Sequence, residues 1–587
     1  MNENVKIGNA LSMGRLLEFE SVFPNEQALS MHEYLRGGNR SIILNVAAYF
    51  LGFKPFNSKY HDNRELIGAI FSPENQDFAD KVYTKVSVIE RTGVKIAIIN
   101  KYSSLKLFES FFNIEDAGQT QSNSDFEINL FKAYLVLNSE FTTAQRVAFT
   151  STRDLGDIKF PAMLFCMDYP ISDKSNFNIN QIWTTQISKA IFLFQFLENE
   201  EKTKPLLSSF LAGFKCDSWK DYLKRLLPLT DSIIKQNKEG HIDIVITSGE
   251  NFEESKYFLE KLIVKITDEL NLYDFLTLRS KPFYKIDDGI YRIIFNLFVV
   301  EKIFKGAYFL LRDVNNTLQE GKIKDFRSFY GDNFSEKNLC YRVVESIYSI
   351  KCEKLSGKEF SEMKIDGAPD YYVRKGKNII LFESKDFLIS VDKKMSFNYQ
   401  TYKDEFQRVL YYEDLPNGKQ KHKAVKQLIK NIRQILKKEF NAKKDYCYKD
   451  IFIYPIILTH DSQFDVPGFN ELIDSWFQVE LLALQTEGLF IHHVYSLTIV
   501  NIDTLIYNQI GLSKAILLHE VIKLYHEFKK SRPMEAFNDK QEMEQYFLSK
   551  MVPFSVFLDQ YFVNNGLSQL PPILELIRPA LFEEEVV

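Results

Sequence analysis

The stretch that decides the fold is APDYYVRKGKNIILFESKD, residues 368–386. Two β-type runs, YYVRK and NIILFESK, flank Gly376-Lys377, a pair suited to a tight turn. Side chains two apart on a strand share a face, so Glu383 and Lys385 point the same way. If the turn centres on Gly376–Lys377, the numbers of facing residues add up to 753, and Asp370 lies across from Glu383. Facing residues hold their Cβ atoms roughly 4.5–5.5 Å apart. Two carboxylates at that separation repel unless a cation lies between them, and the Lys385 ammonium is the next group along the strand.

The flanking segments extend the hairpin into a sheet. FSEKNLCYRVVESIYSI (334–350) has helical spacing, as does HKAVKQLIKNIRQILKKEF (422–440). DIFIYPIIL (450–458) reads as a buried strand and HVYSLTIVNI (493–502) as a late one. The order α-β-β-α-β predicts an α/β domain with a mixed sheet. Its chemistry matches the needs of metal-assisted phosphodiester hydrolysis. Asp370 and Glu383 would hold Mg²⁺, a hard cation that takes oxygen ligands. The ion would lower the pKa of a bound water and offset developing charge, while Lys385 would stabilise that charge or orient the water. The same spacing recurs at Glu254–Lys256 and Glu320–Lys322, but there it follows polar, turn-like sequence rather than an apolar strand.

Pro369-Asp370, a hairpin, and Glu383-Ser384-Lys385 resemble the PD-(D/E)XK nuclease superfamily over roughly residues 331–502. The resemblance implies a restriction-endonuclease-like α-β-β-α-β core and a phosphodiesterase dependent on Mg²⁺ or Mn²⁺. It implies nucleic acid as partner, with DNA preferred to RNA, and catalytic roles for Asp370, Glu383 and Lys385. A restriction or phage-defence setting follows from the resemblance alone. Two rivals stand beside it: a non-catalytic nucleic-acid-binding or scaffold protein with a degenerate nuclease fold, and an RNA-directed nuclease. Many members of the superfamily add a glutamate from the first core helix.

That helix offers two acids, which turning angle separates. At about 100° per residue from Leu339, the apolar residues Val343, Ile347 and Cys340 centre near 60°, with Glu336 at about 60° and Glu345 at about 240°. Glu336 is therefore the expected site acid and third metal ligand, and Glu345 a solvated surface acid.

Residues 371–445 carry eighteen Lys or Arg against nine Asp or Glu, in a chain of net charge −5. Lys426, Lys430, Arg433 and Lys437 share one arc of helix 422–440 and could track a phosphate backbone; a solubilising outer face explains them equally well. Tyr399, Tyr402, Tyr411 and Tyr412 interleave with this segment and could stack on bases.

The rest of the chain bounds these expectations. With 587 residues it needs several units. We expect a mainly helical region over 1–325, one or two subdomains of open role, then a nuclease-like domain over 331–505 and a short helical region over 510–587. Hydrophobic residues at 45% and charged residues at 26% exclude bulk disorder. The longest apolar runs, YRIIFNLFVV and AIFLFQFL, are too short for a membrane helix. MNENVKIGNALSMGRLLEFE has no apolar core of a signal peptide. Five cysteines without CxxC spacing argue against thiolate zinc and for a reducing cytoplasm. His519-Glu520 begins an HExxH pattern that Lys523 ends, and LRGGNRS (35–41) lacks the GK[ST] of a phosphate loop. An oligomer or a protein partner stays open.

Overall fold

A computed structural model describes residues 14–53, 62–115, 118–175, 177–236, 240–249, 251–270, 274–349, 351–365, 367–440, 446–530, 546–568 and 576–582. The first thirteen residues, the opening of the helical run at 541–545 and the acidic tail 583–587 lie outside them.

The chain is mixed α/β and largely helical, arranged around one mixed five-stranded sheet. In chain order its strands are Glu353–Ser356 (β1), Tyr371–Lys375 (β2), Asn378–Lys385 (β3), Phe452–Thr459 (β4) and Thr498–Asn501 (β5). They lie side by side as β5-β4-β3-β2-β1. β1, β2 and β3 are antiparallel neighbours, whereas β3, β4 and β5 run parallel. The edge strand β1 is absent from the sequence reading because EKLS carries no apolar run. β2 and β3 pair Tyr371 with Phe382 and Lys375 with Asn378, the register expected from the turn. Gly376 takes φ +59° there, a conformation in which glycine avoids the Cβ clash.

β3 is apolar on both sides because it is covered on both sides. Ile379, Ile380, Leu381 and Phe382 are fully buried. Ile380 and Phe382 pack with Leu339, Val343 and Ile347 of a helix over Tyr330–Cys340 and Tyr341–Ile347 (α1). Ile379 and Leu381 pack with Val425, Leu428 and Ile432 of Ala424–Leu436 (α2), which Phe469–Thr486 (α3) flanks.

One expectation changes. The first part of α1, Tyr330–Cys340, is π-helical rather than α-helical. Its buried residues Tyr330, Phe334, Ser335, Leu339 and Cys340 recur every four to five positions, which a π turn places on one stripe and an α turn does not. Apolar packing also runs between segments on either side of 325–331 and 505–510. One apolar cluster joins Ile187 and Phe194, the sheet's Phe382 and Val500, and Tyr525 and Phe557. A second joins Phe165 and Tyr169 to Leu381 and Ile457. An amphipathic helix has one apolar stripe but does not encode which neighbour covers it.

Elsewhere, Asp243–Val245, Phe283–Asp287 and Ile290–Ile293 form a small antiparallel sheet whose Asp288-Gly289 turn was a readable hairpin signal. Among the described residues no helix is long and apolar enough to cross a membrane.

A Cβ at Gly376 would meet nothing within 4 Å, so only backbone strain opposes a larger residue. Gly376→Val should cost about 1–2 kcal/mol in urea unfolding, the penalty of a left-handed non-glycine residue. An unchanged midpoint would mean the turn does not hold that conformation.

Candidate functional site

β3 runs out of apolar residues at Phe382 while still inside the protein, so its next side chain, Glu383, is 0% exposed. A carboxylate there needs a compensating charge. Lys385 Nζ supplies it at 3.0 Å from Glu383 Oε2, and also lies 3.7 Å from Asp370 Oδ2. Asp370 sits one residue before β2, beside Tyr371, which pairs with Phe382, the neighbour of Glu383. Its Oδ2 accepts the Ser384 N–H at 2.7 Å, and its carbonyl accepts the Gly357 N–H at 2.8 Å, fixing the loop that enters the strand. Among the described residues, Glu383 Oε1 is buried without a hydrogen-bond partner.

Glu336 joins this group from α1. It lies at the edge of the buried stripe rather than at its centre, and it is close enough to Asp370 and Lys385 to feel both charges. Burial, then repulsion from Asp370, pushes its carboxyl up to about 7. Burial and the same aspartate push Glu383 up to about 8 against the pull of Lys385. The two acidic partners raise the Lys385 ammonium in turn, against the effect of its own burial. Glu345 is exposed, as expected, yet not isolated: the Tyr371 hydroxyl donates to it at 3.3 Å.

The donor set fits a hard divalent cation in part. Asp370 and Glu383 face each other across one ammonium, and the free Glu383 oxygen is an acceptor awaiting a partner. Among the described residues, however, no three Asp, Glu, His or Cys side chains gather closely enough to hold a metal. Glu336 is a neighbour of the pair, reaching it from α1.

Three of the four cations on the expected phosphate-tracking face pair with glutamates. Lys426 pairs with Glu480 at 3.7 Å, and Arg433 and Lys437 pair with Glu487 at 2.7 and 3.7 Å. Lys430 lies against Gly367, in the loop leading to Asp370. Both glutamates belong to α3 or its end, and the sequence of α2 alone could not reveal them. The tyrosines are likewise committed. Tyr399 and Tyr402 are buried, and Tyr411 stacks on Trp476 and donates to Glu480. Tyr412 shares the Lys426 ammonium with Tyr411.

The sequence reading missed the polar groups behind the strand end. Ser384 Oγ lies 2.8 Å from His460 Nε2, tying β3 to the residue after β4. Asp386 accepts from Arg327 and Ser335. Asp386 directly follows the ESK motif and was the one visible signal. His519 and His526 are buried packing residues, next to Tyr348 and Thr498.

Comparison with protein-family models, with curated proteins and with solved structures returned no match.

The raised carboxyls give a pH prediction. Glu336 and Glu383 bind protons more tightly folded than unfolded, so their contribution to stability is complete below about pH 4.5. It is lost as pH rises through about 7 for Glu336 and about 8 for Glu383. In metal-free buffer the melting temperature should therefore fall over that window, and Glu383→Gln should flatten the fall and melt higher at pH 8.5. A parallel profile in the variant would show that Glu383 does not hold its proton.

Proposed function

We propose that the chain is a metal-dependent nuclease that hydrolyses phosphodiester bonds, with DNA as the preferred substrate. The observation that supports this most is the fully buried Glu383, facing Asp370 across the Lys385 ammonium, with one carboxylate oxygen unpartnered. Burial of that group is costly in a protein that needs it only for folding. The cost has a use if the pair receives a cation.

Asp370 and Glu383 are the residues that would hold Mg²⁺ or Mn²⁺. When bound, the ion would supply Lewis acidity and charge neutralisation at the phosphodiester. The chain's own groups supply the rest. Lys385 presents a permanent positive charge beside the pair and can donate hydrogen bonds to a phosphate oxygen. Glu336, with its carboxyl near 7, is poised to take a proton from an attacking water at neutral pH. Asp370, held by the Ser384 N–H, keeps a fixed orientation throughout. The restriction or phage-defence setting rests on the superfamily resemblance.

One rival keeps an observation in its favour. The lack of a third close ligand among the described residues suits a non-catalytic nucleic-acid-binding protein with a degenerate site. Thermal melts and cleavage assays separate the two.

Millimolar Mg²⁺ or Mn²⁺ should raise the melting temperature, because only the folded pair binds the ion. Asp370→Asn should remove most of that increment. The same increment in both proteins would place the ion elsewhere.

On supercoiled, linear and single-stranded DNA with Mg²⁺, Lys385→Ala should abolish cleavage while its melting curve stays cooperative, at a lower midpoint because buried Glu383 loses its compensating charge. Glu336→Gln should slow cleavage at least tenfold, about 1.4 kcal/mol of barrier. Glu345→Gln should cleave as wild type. Cleavage of RNA alone would change the substrate but keep the site, and full activity of Lys385→Ala would sink it.

A further inference from the structure

Three parallel strands end side by side, and each is followed within two residues by an aspartate: Asp386 after β3, Asp461 after β4 and Asp503 after β5. Each aspartate pairs with a cation from the first 330 residues. Arg327 lies 2.7 Å from Asp386, Lys305 3.0 Å from Asp461 and Lys189 2.6 Å from Asp503. The three pairs line one cleft, together with His460. They fasten the helical front of the chain to the carboxyl end of the sheet, the end at which Glu383 and Lys385 emerge.

Of the three, Asp386 is bound most closely to the acid site. Its Oδ1 accepts from Arg327 at 2.7 Å and its Oδ2 from Ser335 Oγ at 2.6 Å. Ser335 directly precedes Glu336 on α1, and Asp386 directly follows Lys385. Successive side chains diverge on a helix and point oppositely on a strand. One bond between Ser335 and Asp386 behind the strand end therefore sets the approach of Glu336 to Lys385 in front of it. Arg327 lies on the short helix Phe326–Phe329, which runs into α1, and its guanidinium rests over the Tyr308 ring at 5.4 Å. The helix start is thus held at two points by one carboxylate.

We propose that Asp386 is a positioning residue for the acid site. Through Ser335 and Arg327 it fixes the distance between the Glu336 helix and the strand that carries Glu383 and Lys385. The proposal rests on the nuclease reading for its effect on rate, and on geometry alone for the coupling between helix and strand.

The test is a pair of double-substitution cycles with the full chain. Asp386→Asn should lower kcat at least tenfold with KM within twofold. In a Glu336→Gln background the same change should cost less than twofold, because the residue it positions is already disabled. Ser335→Thr and Ser335→Val, nearly identical in shape, should differ at least fivefold in kcat, the hydroxyl preserving the rate. The melting-temperature shifts of Asp386→Asn and Glu336→Gln, read without metal or substrate, should fail to add in the double variant. Additive shifts, independent effects on kcat, or equal rates for the threonine and valine variants would overturn the proposal. A wild-type chain that cleaves no substrate would sink the nuclease reading, and the melting cycle would still decide the coupling.

Discussion

The constraint on which the site depends is electrostatic: two carboxylates share one ammonium at the end of a buried strand, with a third close enough to feel their charges. Glu383 is out of contact with water, Asp370 faces it, and Glu336 approaches from the helix above. Coulomb repulsion among such groups grows as the local dielectric falls, so burial and repulsion raise the carboxyls of Glu336 and Glu383 while Lys385 offsets part of that cost. The pairing register of β2 and β3 puts the aspartate and glutamate in opposition, and a slip of one residue would turn Glu383 and Lys385 to the other face.

The surrounding architecture holds that register. β3 is covered on one face by α1 and on the other by α2, and both layers continue into helices far away in sequence. The π-helical opening of α1 belongs to the same logic. Its wide turns let Tyr330, Phe334 and Leu339 share a stripe on the core while Ser335 and Glu336 reach the strand end from behind and in front. Ion pairs from Lys189, Lys305 and Arg327 then anchor the helical front where the strands end. Removal of either partner of such a pair leaves the other charge inadequately solvated, so the attachment is costly to break.

The basic face of α2 shows the opposite case. Its Lys426, Arg433 and Lys437 are matched by Glu480 and Glu487, at separations and exposures where each pair contributes little. A nucleic acid would have to displace those glutamates before the lysines and arginine could track its phosphates. The cation paired with the acids is instead Lys385.

The local pattern of residues 368–386 by itself determined the hairpin, its turn, the opposition of Asp370 and Glu383 and the shared face of Glu383 and Lys385. Strand alternation and turn chemistry act over a few residues and leave a direct trace in the sequence. The apolar runs of β3 and β4 and the amphipathic stripe of α2 were legible for the same reason. Periodicity pointed to Glu336 over Glu345, although it assumed α turns where the buried residues follow a wider spacing. Only the tertiary structure decided which helices cover which face of the sheet, which distant helices share its apolar core, and that Glu480 and Glu487 pair with three cations of the basic row. It alone brought Arg327, Ser335, Asp386 and His460 together behind the strand end. Those contacts join segments tens to hundreds of residues apart, and a charged or apolar side chain carries no mark of its distant partner, because burial and Coulomb attraction depend on distance in space and not along the chain.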